Sequence, residues 1–319
     1  MTLTLSLIAG ILLLLLGGHY LVEYAVRLAV RLNVSGLVIG PTIVAFGTSA
    51  PELLVSLDAV LTDHDDIVMG NIIGSNIANL LLVLSLSALI FPVTVERRTL
   101  GREGAVLLAS TLIFAWFCLG GQISRLEGVV LLAGLAAYKS LSFLAPAQAV
   151  AAPLATDPQA EQRSATRPSG AGKAMLVAAV VITGSLVALA AGSHLFVSGA
   201  VELGRLFGVS EAVIGLTVVA FGTAAPEIAT AAIAAWNRHS DMAIGNVIGS
   251  SIFNILGIAG VTALVSPVEA SPRFLGTDMV ILLAAGVGVI ICGLTFGRLG
   301  RVAGGIMLIG YAGYLVQLG

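Results

Sequence analysis

Glu52 ends the stretch VAFGTSAPE at 44–52, and Glu227 ends VAFGTAAPE at 219–227. Both carboxylates directly follow a proline and both stand inside long apolar runs. A charge at the bilayer centre costs about 2.5–3.5 kcal/mol even on the lenient insertion scale, so an intramembrane acid faces a cavity or a partner. The partner is not local. Three and four residues from Glu52 stand Thr48, Ser49, Val55 and Ser56, and around Glu227 stand Thr223, Ala224, Thr230 and Ala231. No arginine or lysine is well placed in the apolar interior to neutralise two acids, which leaves a bound cation. Pro51 and Pro226 point the same way. Each lacks an N–H, so the carbonyl four residues earlier, at Gly47 and Gly222, loses its helical donor and a kink is expected there. Free carbonyl oxygens, a carboxylate and the Thr48 or Thr223 hydroxyl would share one bend, and non-helical backbone at that depth is tolerated where it lines a polar cavity. A set of oxygen ligands suits hard cations such as calcium and sodium.

A second pair of motifs adds amides and hydroxyls. GNIIGSNIAN at 70–79 spaces Asn71, Ser75 and Asn79 four apart, a polar stripe on one helix face, and GNVIGSSIFN at 245–254 repeats it as Asn246, Ser250 and Asn254. The same stripe also reads as interhelical glue, with Gly70, Gly74, Gly245 and Gly249 permitting tight helix contact. Beside two interrupted helices with paired acids, the balance moves towards ligands.

The elements that must hold these residues are membrane helices. The chain is 58% hydrophobic and 10% charged, with mean hydropathy +1.05, whereas a soluble globule has about 25% charged residues. Apolar stretches recur near the ~18 residues needed to cross a hydrocarbon core as a helix, and a β-barrel would show short alternating segments instead. The expected fold is an all-α polytopic membrane protein of ten transmembrane helices, roughly 4–31, 36–61, 67–91, 103–121, 125–146, 174–207, 211–236, 241–266, 275–296 and 301–318. The N-terminal MTLTLSLIAGILLLLLGG has no basic leader and reads as the first span, not a cleaved signal. Segment 147–172, rich in alanine, proline and polar residues, reads as a flexible linker between 1–146 and 173–319. A formal charge of −2 offers no basic surface for nucleic acid, and Cys118 and Cys292 form neither a disulfide framework nor a metal-ligand pattern.

The two halves are copies. Shifted by 175 residues, Gly18–Leu80 matches the second half at 29 of 63 positions without a gap, including Gly47 on Gly222, Glu52 on Glu227 and Asn79 on Asn254. Five spans per half make the second copy enter the membrane from the opposite side, an inverted-topology repeat. Basic residues stay in cytoplasmic loops. With both termini outside, Arg27, Arg31, Arg97, Arg98, Arg102, Lys139, Arg163, Arg167, Lys173, Arg238, Arg298 and Arg301 lie at inner ends, against Arg125, Arg205 and Arg273 outside. The acidic turn DHDD at 63–66 then faces outside, as a solvated loop or as a concentrator of cations near an entrance. His19 and His194 match across the repeat and read as packed or interfacial residues, a gating or proton role being the alternative. Glu23 and Arg27 form an ordinary helix pair.

GTSAPE followed by GSNIAN, and GTAAPE followed by GSSIFN, resemble the two α-repeats of the sodium/calcium exchangers within the cation/calcium antiporter superfamily, and the resemblance extends over ten spans. It implies an antiporter that exchanges Ca2+ for Na+ by alternating access without a cofactor, around a diamond of metal ligands, Glu52, Asn79, Glu227 and Asn254. By the same match Thr48, Thr223, Ser49, Ser75, Ser250, Ala45 and Ala220 complete calcium and sodium sites through hydroxyls and backbone carbonyls, and the long first and sixth spans form a tilted pair that slides across the core. Two positions depart from the pattern: Asn254, where some members carry Asp, and Ala224, where many carry Ser. Two acids can neutralise one calcium but give less negative charge for several monovalent ions, so potassium co-transport loses support. The missing hydroxyl at Ala224 removes one sodium ligand, which leaves the stoichiometry open. An alternative lets the same two glutamates pick up protons as calcium leaves, making a cation/proton antiporter. A remote alternative, an intramembrane enzyme using the paired acids, has no HExxH, GxSxG or other nucleophile arrangement behind it. The expected setting is the lipid bilayer of a prokaryotic inner (plasma) membrane, since nothing resembles a transit peptide.

Overall fold

The computed structural model of the chain describes residues 3–32, 44–144, 171–206, 224–272 and 274–318. Its first half runs α1 (Leu3–Leu32), α2 (Ala45–Thr48), α3 (Ala50–Leu61), α4 (Asp65–Ala78), a π-helical turn (Asn79–Val83), α5 (Leu84–Ile90), β1 (Val93–Thr94), α6 (Arg97–Cys118), β2 (Gln122–Ile123) and α7 (Arg125–Leu144). The second runs α8 (Ala171–Leu206), α9 (Ala225–Trp236), α10 (Ser240–Phe253), a π-helical turn (Asn254–Ile258), α11 (Ala259–Val265), β3 (Val268–Glu269), a π-helical turn (Phe274–Asp278), α12 (Met279–Phe296), β4 (Arg298–Leu299) and α13 (Arg301–Leu318). Adding 175 to both bounds of α3, α4, the first π turn and α5 returns the bounds of α9, α10, the second π turn and α11. The repeat extends to backbone detail. Asp63 and Arg238, 175 apart, are the two non-glycine residues with positive φ among the described ones (56° and 62°). Each ends a helix, and the next amide, His64 or His239, donates five residues back to Ala59 or Ala234 at 2.9 and 2.8 Å, the six-to-one bond of a Schellman stop.

Six helical segments among the described residues are long and apolar enough to cross a membrane: Leu5–Leu28, Asp65–Ile90, Arg97–Cys118, Met175–Phe196, Ser240–Val265 and Phe274–Phe296. Two of them, α4 to α5 and α10 to α11, are buried along most of their length and form the centre. The other four expose about two thirds of their apolar windows, with Leu12, Leu16, Trp116 and Val180 turned outward. In water such faces would demand burial; in hydrocarbon they are already at home, so the helices around the centre need only one packed face.

Small residues set how closely the outer helices approach. A Cβ on Gly128 of α7 would come within 2.9 Å of the Gly260 carbonyl of α11, and one on Gly304 of α13 within 2.9 Å of the Ser85 carbonyl of α5. Each half's last helix thus rests on the other half's centre. A similar seam joins α1 to α8: a Cβ on Gly17 would meet Ser185 and Leu189, and one on Gly192 would meet Leu13, Leu14 and Gly10, all near 3 Å. Antiparallel ribbons tie the ends, with β1 paired to β4 (Val93 opposite Leu299) and β2 to β3 (Ile123 opposite Val268).

Candidate cation site

Each glutamate motif folds as a helix start, and the first of them as a helix that stops and restarts. α2 ends at Thr48, Ser49 turns out of helical geometry (φ −84°, ψ 7°), and α3 starts at Ala50. The expected interruption falls at Ser49, between Gly47 and Pro51. Pro51 lies in the first turn of a new helix, where its missing N–H costs nothing because that turn has no intrahelical acceptor. Glu52 gains from the restart, since its carboxylate lies in the first turn, at the positive end of the α3 dipole. Pro226 and Glu227 occupy the same places in α9. The stretch before α9, with Ala220, Gly222 and Thr223, lies outside the described residues.

The centre brings together most of the other predicted ligands. Glu52, Glu227, Asn79 and Asn254 are each at most 1% exposed, and Thr48, Ser49, Ala45, Ser75 and Ser250 are buried with them. Contacts run from one half to the other. Ser49 Oγ donates to Glu227 Oε1 at 3.1 Å, Asn254 Nδ2 to Ser75 Oγ at 3.1 Å, and Ser250 Oγ to the Ala45 carbonyl at 3.5 Å. That carbonyl also accepts the Ser49 amide at 3.0 Å and the Thr48 hydroxyl at 3.3 Å. The bond from Ser49, three residues before Glu52, to Glu227 joins the two glutamate motifs. Among the described residues neither glutamate has a basic partner; the ion pairs are Glu23 with Arg27 and His19, and Glu103 with Arg102.

What remains unpaired is informative. Glu52 Oε2, Glu227 Oε2, Asn79 Oδ1 and Asn254 Oδ1 are all buried without a hydrogen-bond partner among the described residues. Buried oxygens of this kind are costly unless something satisfies them. These four oxygens, two carboxylate and two amide, are of the kind a hard cation takes as ligands. Both asparagines open a π-helical turn, with the amide of Leu84 or Ala259 reaching five residues back to the asparagine carbonyl, and such turns recur at functional sites. Sequence reasoning did not foresee these turns, nor the unpaired Asn76 Oδ1 and Ser251 Oγ. The one signal was their place directly after Ser75 and Ser250. His19 and His194 lie exposed on α1 and α8, which fits the interfacial reading. The DHDD turn borders an open cavity of about 400 Å³ with Glu269 and Ser271, and Asp65 accepts the Glu269 amide at 2.8 Å.

A family described as sodium/calcium exchanger protein matches residues 2–144 and 177–318, nearly the whole described chain. The chain belongs to that family. Among its relatives are a putative antiporter, CaxA, of Alkalimonas amylolytica, 36% identical over 98% of this chain and 97% of that protein, and the inner membrane protein YrbG of Escherichia coli, 34% identical over 99% and 96%. The sodium/calcium exchanger MaX1 of Methanosarcina acetivorans is 29% identical over 98% and 97%. The solved structure of the sodium-calcium exchanger NCX_Mj superposes with a TM-score of 0.82 at 30% identity, covering 98% of this chain and 97% of that one. This family member is therefore an integral membrane transporter, in the company of a named sodium/calcium exchanger and a putative antiporter.

Proposed function

We propose that this exchanger carries Ca2+ one way and Na+ the other by alternating access, both ions competing for one site built on Glu52, Asn79, Glu227 and Asn254. Thr48, Ser49, Ser75, Ser250 and the Ala45 carbonyl complete that site, with Thr223 and Ala220 as their counterparts in the second half. The observation that carries the reading is that Glu52, Glu227, Asn79 and Asn254, two from each half, each bury an oxygen without a partner among the described residues, and that no basic residue among these neutralises the two carboxylates. A divalent ion cancels both charges; sodium ions can do so in its place, and because the same oxygens serve both, the ions take turns.

The accompanying topology is ten spans in two inverted five-helix repeats, 1–146 and 173–319, joined by a cytoplasmic linker, with both termini outside a prokaryotic inner membrane. Cross-half contacts support it, because each joins loops or ends that this topology puts on one side. β1 pairs with β4, and Arg97 and Arg301 donate to the Thr295 and Leu89 carbonyls at 3.0 and 3.1 Å, all inside. β2 pairs with β3, and Arg125 donates to the Val265 carbonyl at 3.2 Å, all outside.

The competing reading is cation/proton exchange through the same glutamates, favoured by two fully buried carboxylates that have no basic partner among the described residues and that protons would neutralise. Calcium uptake into everted vesicles separates the two. The expected result is uptake driven by an outward-directed sodium gradient at fixed pH, abolished by Glu52→Gln and by Glu227→Gln. Uptake driven by a pH gradient without sodium, and indifferent to sodium, sinks sodium exchange in favour of protons.

A further inference from the structure

We propose that Asn71 and Asn246 are positioning residues, each clamping the turn that carries a site glutamate to the helix that carries a site asparagine. The inference rests on the cation-exchange reading and adds to its site two residues that do not touch the ion. Asn71 stands two helical turns before Asn79, on α4. Its Nδ2 donates at 2.9 Å to the backbone carbonyl of Glu52 itself and at 2.8 Å to Ser56 Oγ, so the amide bridges the first and second turns of α3. Asn246 stands at the matching place on α10, before Asn254. Its Nδ2 donates at 3.1 Å to Thr230 Oγ1, and that hydroxyl lies 2.8 Å from the Pro226 carbonyl and 3.1 Å from the Glu227 carbonyl.

The halves reach the same end by different side chains. Ser56 corresponds to Ala231, and Thr230 to Val55, so the hydroxyl has moved by one residue while the asparagine and the carbonyl it secures have stayed. Packing alone does not require that. An asparagine whose partner changes but whose target remains is tied to the target. The consequence is mechanical: Glu52 cannot shift relative to Asn79, nor Glu227 relative to Asn254, without breaking a hydrogen bond that is part-buried in the first half and buried in the second. The direct clamp in the first half and the relayed clamp in the second also make a specific forecast, because removing Thr230 Oγ1 disconnects Asn246 from its glutamate turn.

The test uses the full-length protein, with Ca2+ as probe, reading half-saturation from the calcium-dependent thermal shift and from uptake into proteoliposomes. Asn71→Ala, Asn246→Ala and Thr230→Val are each expected to raise the half-saturating calcium concentration about tenfold, the order of effect of losing one net hydrogen bond. The Thr230→Val, Asn246→Ala double variant should be no worse than either single, since both break one link, and Thr230→Ser should recover the affinity lost in Thr230→Val. A purely structural role would lower the ion-free melting temperature and leave half-saturation of the folded protein unchanged; that result, or additive losses in the double variant, overturns the inference. If an asparagine variant does not fold, Ser56→Ala and Thr230→Val test the same links with small changes of volume. A wild-type protein without any calcium response sinks the cation-exchange reading and this inference with it, whereas a normal wild-type response beside unaltered variants sinks this inference alone.

Discussion

At position 254 one atom decides the charge of the site. As asparagine, the side chain donates Nδ2–H to Ser75 Oγ, which in turn donates to the Asn71 carbonyl at 2.5 Å, and it leaves Oδ1 buried and free. Aspartate has the same shape but no donor, and adds a third negative charge to a centre with no basic neighbour among the described residues. An uncompensated buried charge costs about 3–5 kcal/mol, and a cation removes that cost. Asn254→Asp should therefore melt well below the wild type in a calcium chelator and recover in calcium, so that its calcium-induced rise in melting temperature exceeds that of the wild type. Equal rises would mean that residue 254 does not face the ion. Much of this site was legible in the sequence because acids, amides and prolines are rare in apolar runs and recur at a fixed offset. The pairing of Ser49 with Glu227 was not, because a bond between residues 178 apart leaves no local periodicity.

Among the elements, the interrupted helix and the glycine seams decide what is rigid. The proline signalled a break, but local rules did not reveal whether the helix bends through it or stops and starts again; the choice falls to the tertiary packing around Ser49, whose hydroxyl bonds Glu227 of the other half. The π turns were invisible for the same reason, since Asn79–Val83 reads as ordinary helix in its residue types. The α1 and α8 pair, predicted as long first and sixth spans, makes its closest approach along Gly10, Gly17 and Gly192, and touches the centre chiefly through α9, where a Cβ on Gly18 would meet Ile233 at 2.8 Å. A seam so close has no room for a side chain. Gly192→Leu should destabilise the protein by about 1–3 kcal/mol, the usual cost of overpacking, and lower calcium flux, whereas Gly184→Leu on the same helix, with nothing within 4 Å, should change neither. Thermal unfolding in detergent and vesicle flux read both, and equal tolerance at the two glycines would show that the helices are not held by this contact.

For the molecule as a whole, the repeat means that neither half is complete. Glu227 takes its hydroxyl partner from Ser49, Ser75 takes its amide from Asn254, α13 lies on α5, and α7 lies on α11. Both ribbons also pair strands from opposite halves. Two sequence halves with 29 of 63 matched positions could have folded as two independent bundles; the exchange of last helices and ribbons makes them one. On the proposed reading of 147–172 as a linker, a covalent connection between the halves only raises their effective concentration. Co-expression of 1–146 and 173–319 as separate chains should accordingly restore sodium-driven calcium uptake, while either half alone should give no uptake and accumulate poorly, its polar centre and close-packing glycines left without their partners. Uptake by one half alone would sink the shared site. Two halves that co-purify as a stable complex yet carry no calcium would instead show that the connecting segment takes part in the transport cycle.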